Sequence, residues 1–154
     1  MRILIDPRLF DNIPCLRVRK RMEQIMKILM YYDGTEYTKD ALPLVKTHAK
    51  TFNAHVDIVS SLPKGGQSEL KEIEAREDEL TYLKEILEKE KIPCESHLII
   101  KGHDAGDDIV KFAKEHTIDE IIIGTEKKSR VEKFLLGSVA QYVIINATCP
   151  VVIV

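Results

Sequence analysis

Glu120-Ile-Ile-Ile-Gly-Thr-Glu-Lys-Lys-Ser-Arg-Val-Glu-Lys-Phe-Leu-Leu-Gly-Ser138 begins as an apolar strand and ends as the start of a helix. The strand signal Glu120–Gly124 closes on a glycine, and Gly137-Ser138 opens a helical segment that reaches about Asn146. A second apolar run, Pro150-Val-Val-Ile-Val154, follows it. A strand, a loop, a helix and another apolar strand form the unit from which parallel sheets are built. The loop ends also suggest chemistry. Backbone can approach an anion closely at glycine, and a helix N-terminus presents unpaired N–H groups and the positive end of its dipole. Gly124, Gly137 and Ser138 therefore form a candidate phosphate cradle, which makes nucleotide binding the first hypothesis. Lys127 stands where such a loop prefers a third glycine.

The same alternation extends upstream. Met26-Lys-Ile-Leu-Met-Tyr-Tyr32 reads as a first strand, and Ala41, Leu42, Val45, His48, Ala49 and Phe52 recur at helical spacing behind it. Val56, Ile58 and Val59 mark a second strand ending near Ser61. Pro63-Lys-Gly-Gly66 breaks the chain, and Ser68 is placed to cap a long helix to about Lys91. Leu70, Ile73, Leu80, Leu83, Ile86 and Leu87 line one side of that helix, with Glu and Lys forming a solvated face between them. Cys94–Lys101 reads as a third strand, and Asp104 as the cap of a helix through His116 with Ile109, Val110, Phe112 and Ala113 inward. Nearly all-apolar strands alternating with helices predict an α/β fold: a doubly wound, five-stranded parallel sheet with helices on both faces.

Right-handed crossovers restrict the winding, and ligands of such sheets sit at the carboxyl ends of the strands where the winding reverses. If the first and fourth strands are neighbours there, Asp33-Gly34-Thr35 and Gly124-Thr125 face one crevice. Gly102-His103-Asp104 occupies another strand-to-helix loop at the same end.

Composition narrows the function classes. A length of 154 residues fits one domain, and 44% apolar with 31% charged residues describes an ordinary water-soluble chain. A net charge of −2 supplies no basic face, which disfavours nucleic acid as a partner. No apolar run approaches the roughly 20 residues of a membrane span. Cys15, Cys94 and Cys149 are odd in number and lack Cys-x-x-Cys pairing, as expected of reduced thiols in the cytoplasm. Residues 1–25, with Pro7, Pro14 and a basic run at Arg17, Arg19, Lys20 and Arg21, read as an N-terminal extension. It is either peripheral to a domain spanning 26–154 or the product of a translation start assigned upstream of Met26.

The chain resembles the universal stress protein family over nearly all of 26–154. The resemblance rests on the first strand ending Tyr-Tyr-Asp33-Gly, on Lys101-Gly-His-Asp-Ala-Gly-Asp-Asp-Ile109, and on Ile-Ile-Ile-Gly-Thr125. It rests above all on Phe-Leu-Leu-Gly-Ser-Val-Ala-Gln-Tyr-Val143 followed by Ala-Thr-Cys-Pro-Val-Val-Ile-Val154. It implies a Rossmann-like fold of the adenine nucleotide alpha hydrolase type, usually a homodimer made through the terminal strand. Family members that bind ATP carry Gly-x2-Gly-x9-Gly-Ser/Thr. Gly124, Gly137 and Ser138 match that pattern here, and Lys127 replaces its second glycine. The resemblance implies that Asp33 lies near the adenosine and Gly124 near the ribose and phosphates. Gly137, Ser138 and the amide of Val139 then hold phosphate. Lys127 obstructs the phosphate turn, or Lys127, Lys128 and Arg130 lend it positive charge, or the three form a merely solvated charge run.

The expected site is therefore Asp33, Gly34, Gly102, Gly124, Thr125, Lys127, Gly137, Ser138 and Val139, with ATP or AMP and Mg2+ as the ligand. No Walker Gly-x4-Gly-Lys-Ser/Thr, no Gly-x-Gly-x-x-Gly and no Gly-x-Ser-x-Gly is present, and no histidine beside a serine or cysteine can be argued into a triad from the sequence. His48, His55, His97 and His116 lack metal-ligand spacing, so no zinc site and no catalytic residue is expected. Asp107 and Asp108 suit the first turn of a helix through its dipole. The expected function is a regulatory nucleotide-binding module rather than an enzyme. The alternative is a nucleotide-independent, dimeric stress-response interaction protein.

Overall fold

The computed structural model describes residues 25–62, 69–100, 104–125 and 136–154. Its elements are β1 (Lys27–Tyr31), α1 (Glu36–Lys39), α2 (Leu42–Phe52), β2 (His55–Leu62), α3 (Glu69–Lys89) and β3 (Cys94–Ile100). They continue with α4 (Ala105–Glu115), β4 (Glu120–Ile123), α5 (Ser138–Asn146) and β5 (Val151–Ile153). The strands form one parallel sheet in the order β3-β2-β1-β4-β5. The winding therefore reverses between β1 and β4, which pair from Ile28↔Glu120 to Tyr31↔Ile123.

Apolar residues on both sides of the central strands make the sheet a two-faced core. Ile28, Met30, Val56 and Ile58 pack with Val45 and Ala49 of α2 and with Leu80, Leu83 and Leu87 of α3. Leu29, Tyr31, Val59, Ile121 and Ile123 pack with Ile109 and Phe112 of α4 and with Ala140 and Val143 of α5. Residues such as Ile28, Leu29 and Ile122 are fully buried, and each such side chain favours folding by about 1.5–3 kcal/mol relative to exposure.

Three local expectations change. The first helical segment divides into α1 and α2, with a proline, Pro43, in the first turn of α2, a position where its missing N–H costs nothing. Phe52 is exposed and meets the His48 ring edge-on rather than the core. Leu70, in the first turn of α3, is also exposed. Of the expected N-terminal extension only Ile25 is described, and it is exposed. The break at 63–66 and the cap at Ser68 lie outside the described residues. No helix among the described residues is long and apolar enough to cross a membrane.

Candidate functional site

Because β1 and β4 run side by side, the loops leaving them are neighbours. Between them and the start of α5 lies a cavity of about 480 Å3, within the 300–1,000 Å3 usual for small-molecule sites. Asp33, Gly124, Thr125, Gly137, Ser138 and Val139 all line it, together with Tyr31, Thr35, Tyr37, Ile123, Leu136 and Ala140.

Asp33 builds the turn after β1. Its Oδ1 accepts from the Thr35 amide at 2.9 Å, the Thr35 hydroxyl at 2.7 Å and the Thr38 hydroxyl at 3.0 Å. These bonds hold the carboxylate by one oxygen, and no protein donor among the described residues bonds Oδ2. Gly34 serves the turn rather than the cavity. Its φ is +91°, a conformation that costs other residues, and an added Cβ would meet the Arg76 guanidinium. Arg76 reaches the turn from α3, donating to Ser60 Oγ at 2.8 Å and lying 5.4 Å from the Tyr32 ring centre. The polar face of α3 is thus not wholly solvated.

On the opposite wall, Gly124 is required by packing. A Cβ there would lie 2.2 Å from the Tyr37 carbonyl oxygen. The Thr125 amide is already committed, donating to the Val154 carbonyl at 2.9 Å. Its amide is therefore not a donor for a ligand, and the hydroxyl lies 3.4 Å from the same carbonyl.

Gly137 differs from Gly124 in its packing. It precedes α5 with φ −59° and ψ 154°, which any residue can adopt, and no atom of the described residues lies within 4 Å of an added Cβ. Among the described residues no side chain caps α5, and its first turn contains no acidic residue. At α4 the reverse holds. Asp104 caps that helix by accepting from the Gly106 amide at 2.8 Å, and Asp107 and Asp108 add negative charge to the first turn. Of these two helix starts, only that of α5 is free of such negative charge among the described residues, the condition that suits an anion. Asp108 does more than complement a dipole, since it is buried and accepts from Ser61 Oγ at 2.8 Å.

Tyr31 and Tyr37 were not expected in the site. Tyr31 reaches it because side chains alternate along β1, a signal hidden when both faces of a strand are apolar. Burial, reinforced by the Asp33 carboxylate and opposed by Arg76, pushes the Tyr31 hydroxyl up to about 12. It therefore stays protonated, as a hydrogen-bond donor, at neutral pH. Among the described lining residues Asp33 is the single carboxylate, and no imidazole or thiol accompanies Ser138. Gly102 and Lys127, with Lys128 and Arg130, lie outside the described residues.

Comparison with known proteins places this geometry among relatives. A profile described as the universal stress protein family matches residues 24–154. A universal stress protein of Methanocaldococcus jannaschii is 33% identical over 139 residues, covering 83% of this chain and 81% of the relative. The structure of a universal stress protein from Archaeoglobus fulgidus superposes with a TM-score of 0.73 at 31% identity, covering 88% of this chain and 98% of that one. A structure of the Archaeoglobus fulgidus universal stress protein in complex with dAMP superposes with a TM-score of 0.68 at 29% identity, covering 84% and 97%.

Proposed function

Since the chain belongs to the universal stress protein family, we propose that it is a regulatory module that binds an adenine nucleotide, ATP or AMP, between β1 and β4. One observation carries this reading: the start of α5, uncapped and acid-free among the described residues, lines at Gly137 the same cavity as Asp33. The amides of Ser138 and Val139 would take phosphate, where the helix dipole contributes about 0.3–1 kcal/mol and up to ~2 in sheltered geometry. Asp33 Oδ2 would accept from the adenosine part, held in place by the bonds on Oδ1. Gly124 would let ribose and phosphate approach the backbone, with the Thr125 side chain beside them. The relative that binds dAMP supports the ligand class.

Binding rather than turnover is the role proposed, since the described lining residues pair no nucleophile with a base. Mg2+ would accompany ATP through its phosphates. Gly102 and Lys127 belong to the proposed site on sequence alone. The working form proposed is a cytoplasmic homodimer joined through β5, whose outer edge has no partner strand among the described residues. Residues 26–154 form the proposed functional domain.

Calorimetric titration with ATP and with AMP, each with and without Mg2+, tests the site. Saturable binding of one nucleotide per chain is expected. Gly137→Asp should leave the melting temperature unchanged or slightly higher, since aspartate is a favourable N-cap. The same change should weaken nucleotide binding at least tenfold, about 1.4 kcal/mol. Absence of binding at millimolar nucleotide, or equal binding by Gly137→Asp, would overturn the assignment.

A further inference from the structure

A second cluster of ionisable groups lies on the β2–β3 pair, away from the nucleotide cavity. His55 and Asp57 alternate along β2 and point to one face, and Asp57 pairs in register with Glu95 of β3. His97, two residues further on, faces the same way and packs on Phe112 of α4 at 4.7 Å between ring centres. One ligand atom from each of His55, Asp57 and Glu95 lies within 4.8 Å of the other two. His97 Nε2 is 2.8 Å from Asp57 Oδ1.

The electrostatics of Asp57 make this cluster more than a proximity. Asp57 is 4% exposed, and a buried carboxylate requires a compensating positive charge. Its ionic partners are His97 and, at 3.8 Å, His55. Lys27, beside His55 in the sheet, sends its ammonium to the His116 carbonyl at 3.3 Å.

We propose that His55, Asp57 and Glu95 bind a divalent first-row transition ion of the zinc class. One imidazole nitrogen with two carboxylate oxygens suits such ions, and three protein ligands leave a position open for water or another ligand. Calcium and magnesium prefer all-oxygen sites. Metal–ligand bonds of about 2.0–2.2 Å require the three atoms to draw slightly closer. The exposed Glu95 side chain has freedom to do so, its side chain being 66% accessible. His97 then acts as a positioning residue, orienting Asp57 from outside the coordination sphere. Linear spacing does not reveal the set, because β2 and β3 bring its members together across the sheet.

The test uses the full chain, stripped of metal, titrated with Zn2+ by calorimetry and with Co2+ by visible absorption. One ion per chain is expected. Glu95→Gln and His55→Gln should each weaken it by at least ~10-fold, and His97→Gln by about 10–100-fold, as outer partners of metal ligands do. Cys94→Ser should bind as the parent does, because the Cys94 side chain lies on the other face, against the Lys84 carbonyl. Glu95 is exposed, so loss on Glu95→Gln cannot be ascribed to unfolding. Absence of saturable uptake would overturn the proposal, as would uptake unaltered by Glu95→Gln and His55→Gln. Nucleotide plays no part in the measurement, so its outcome is separate from that of the nucleotide site.

Discussion

A Cβ on Gly124 would meet the Tyr37 carbonyl oxygen at 2.2 Å, whereas one on Gly137 meets no heavy atom of the described residues within 4 Å. Both glycines line one cavity, yet only the first is demanded by packing. Gly124→Ala should therefore destabilise the fold by about 1–3 kcal/mol, the usual cost of overpacking against a surface that cannot yield. At this chain length that lowers the melting temperature by about 2–4 °C per kcal/mol. Gly137→Ala should stay within about 0.5 kcal/mol of the parent, as substitutions free of such contacts do. Paired thermal melts check both, and equal losses would contradict the geometry. These glycines could be picked out from their positions at the end of an apolar run and the start of a helix. Their differing reasons could not, since the Tyr37 carbonyl lies far away in sequence.

At the scale of elements, α2 and the end of α3 are joined by Glu90, which bonds Lys46 and Lys50 of α2, each at 2.5 Å. These ammonium groups, Lys46 foremost, hold the Glu90 carboxyl down at about 2. A carboxyl whose folded value is depressed stabilises the fold above its unfolded value and loses that contribution as pH falls through the folded one. Urea unfolding of Glu90→Gln should show lower stability than the parent at pH 7. The gap should close between about pH 4.5 and 2, and a pH-independent gap would refute the pairing. Salt should narrow it, because the groups are partly solvated. Strand and helix order was readable from apolar periodicity. The split of α1 from α2, the exposed Phe52 and the inward Arg76 were not, because each depends on what packs against the element.

For the whole molecule, the sheet order β3-β2-β1-β4-β5 leaves β5 at an edge with Val151–Ile153 only half-buried. On adjacent α5, Ile144 and Ile145 are exposed apolar side chains. An apolar edge invites a second strand, and a twofold pairing of β5 with its copy closes both edges at once. Sedimentation of the parent should report a dimer, and Val152→Lys should shift it toward monomer, with circular dichroism verifying that the fold persists. An unchanged sedimentation mass would rule out β5 as the interface.

Local pattern was enough to determine the alternating elements and the two-faced apolar strands, because propensity, capping and periodicity act over a few neighbouring residues. Tertiary structure alone decided that β1 lies beside β4, so that Asp33 and Gly137 share a cavity. It alone placed Tyr31 and Tyr37 in that cavity and gathered His55, Asp57 and Glu95 from two strands. Such groupings depend on strand adjacency and crossover path, which are set by how the whole chain buries its apolar surface and are not encoded in the spacing of any one segment.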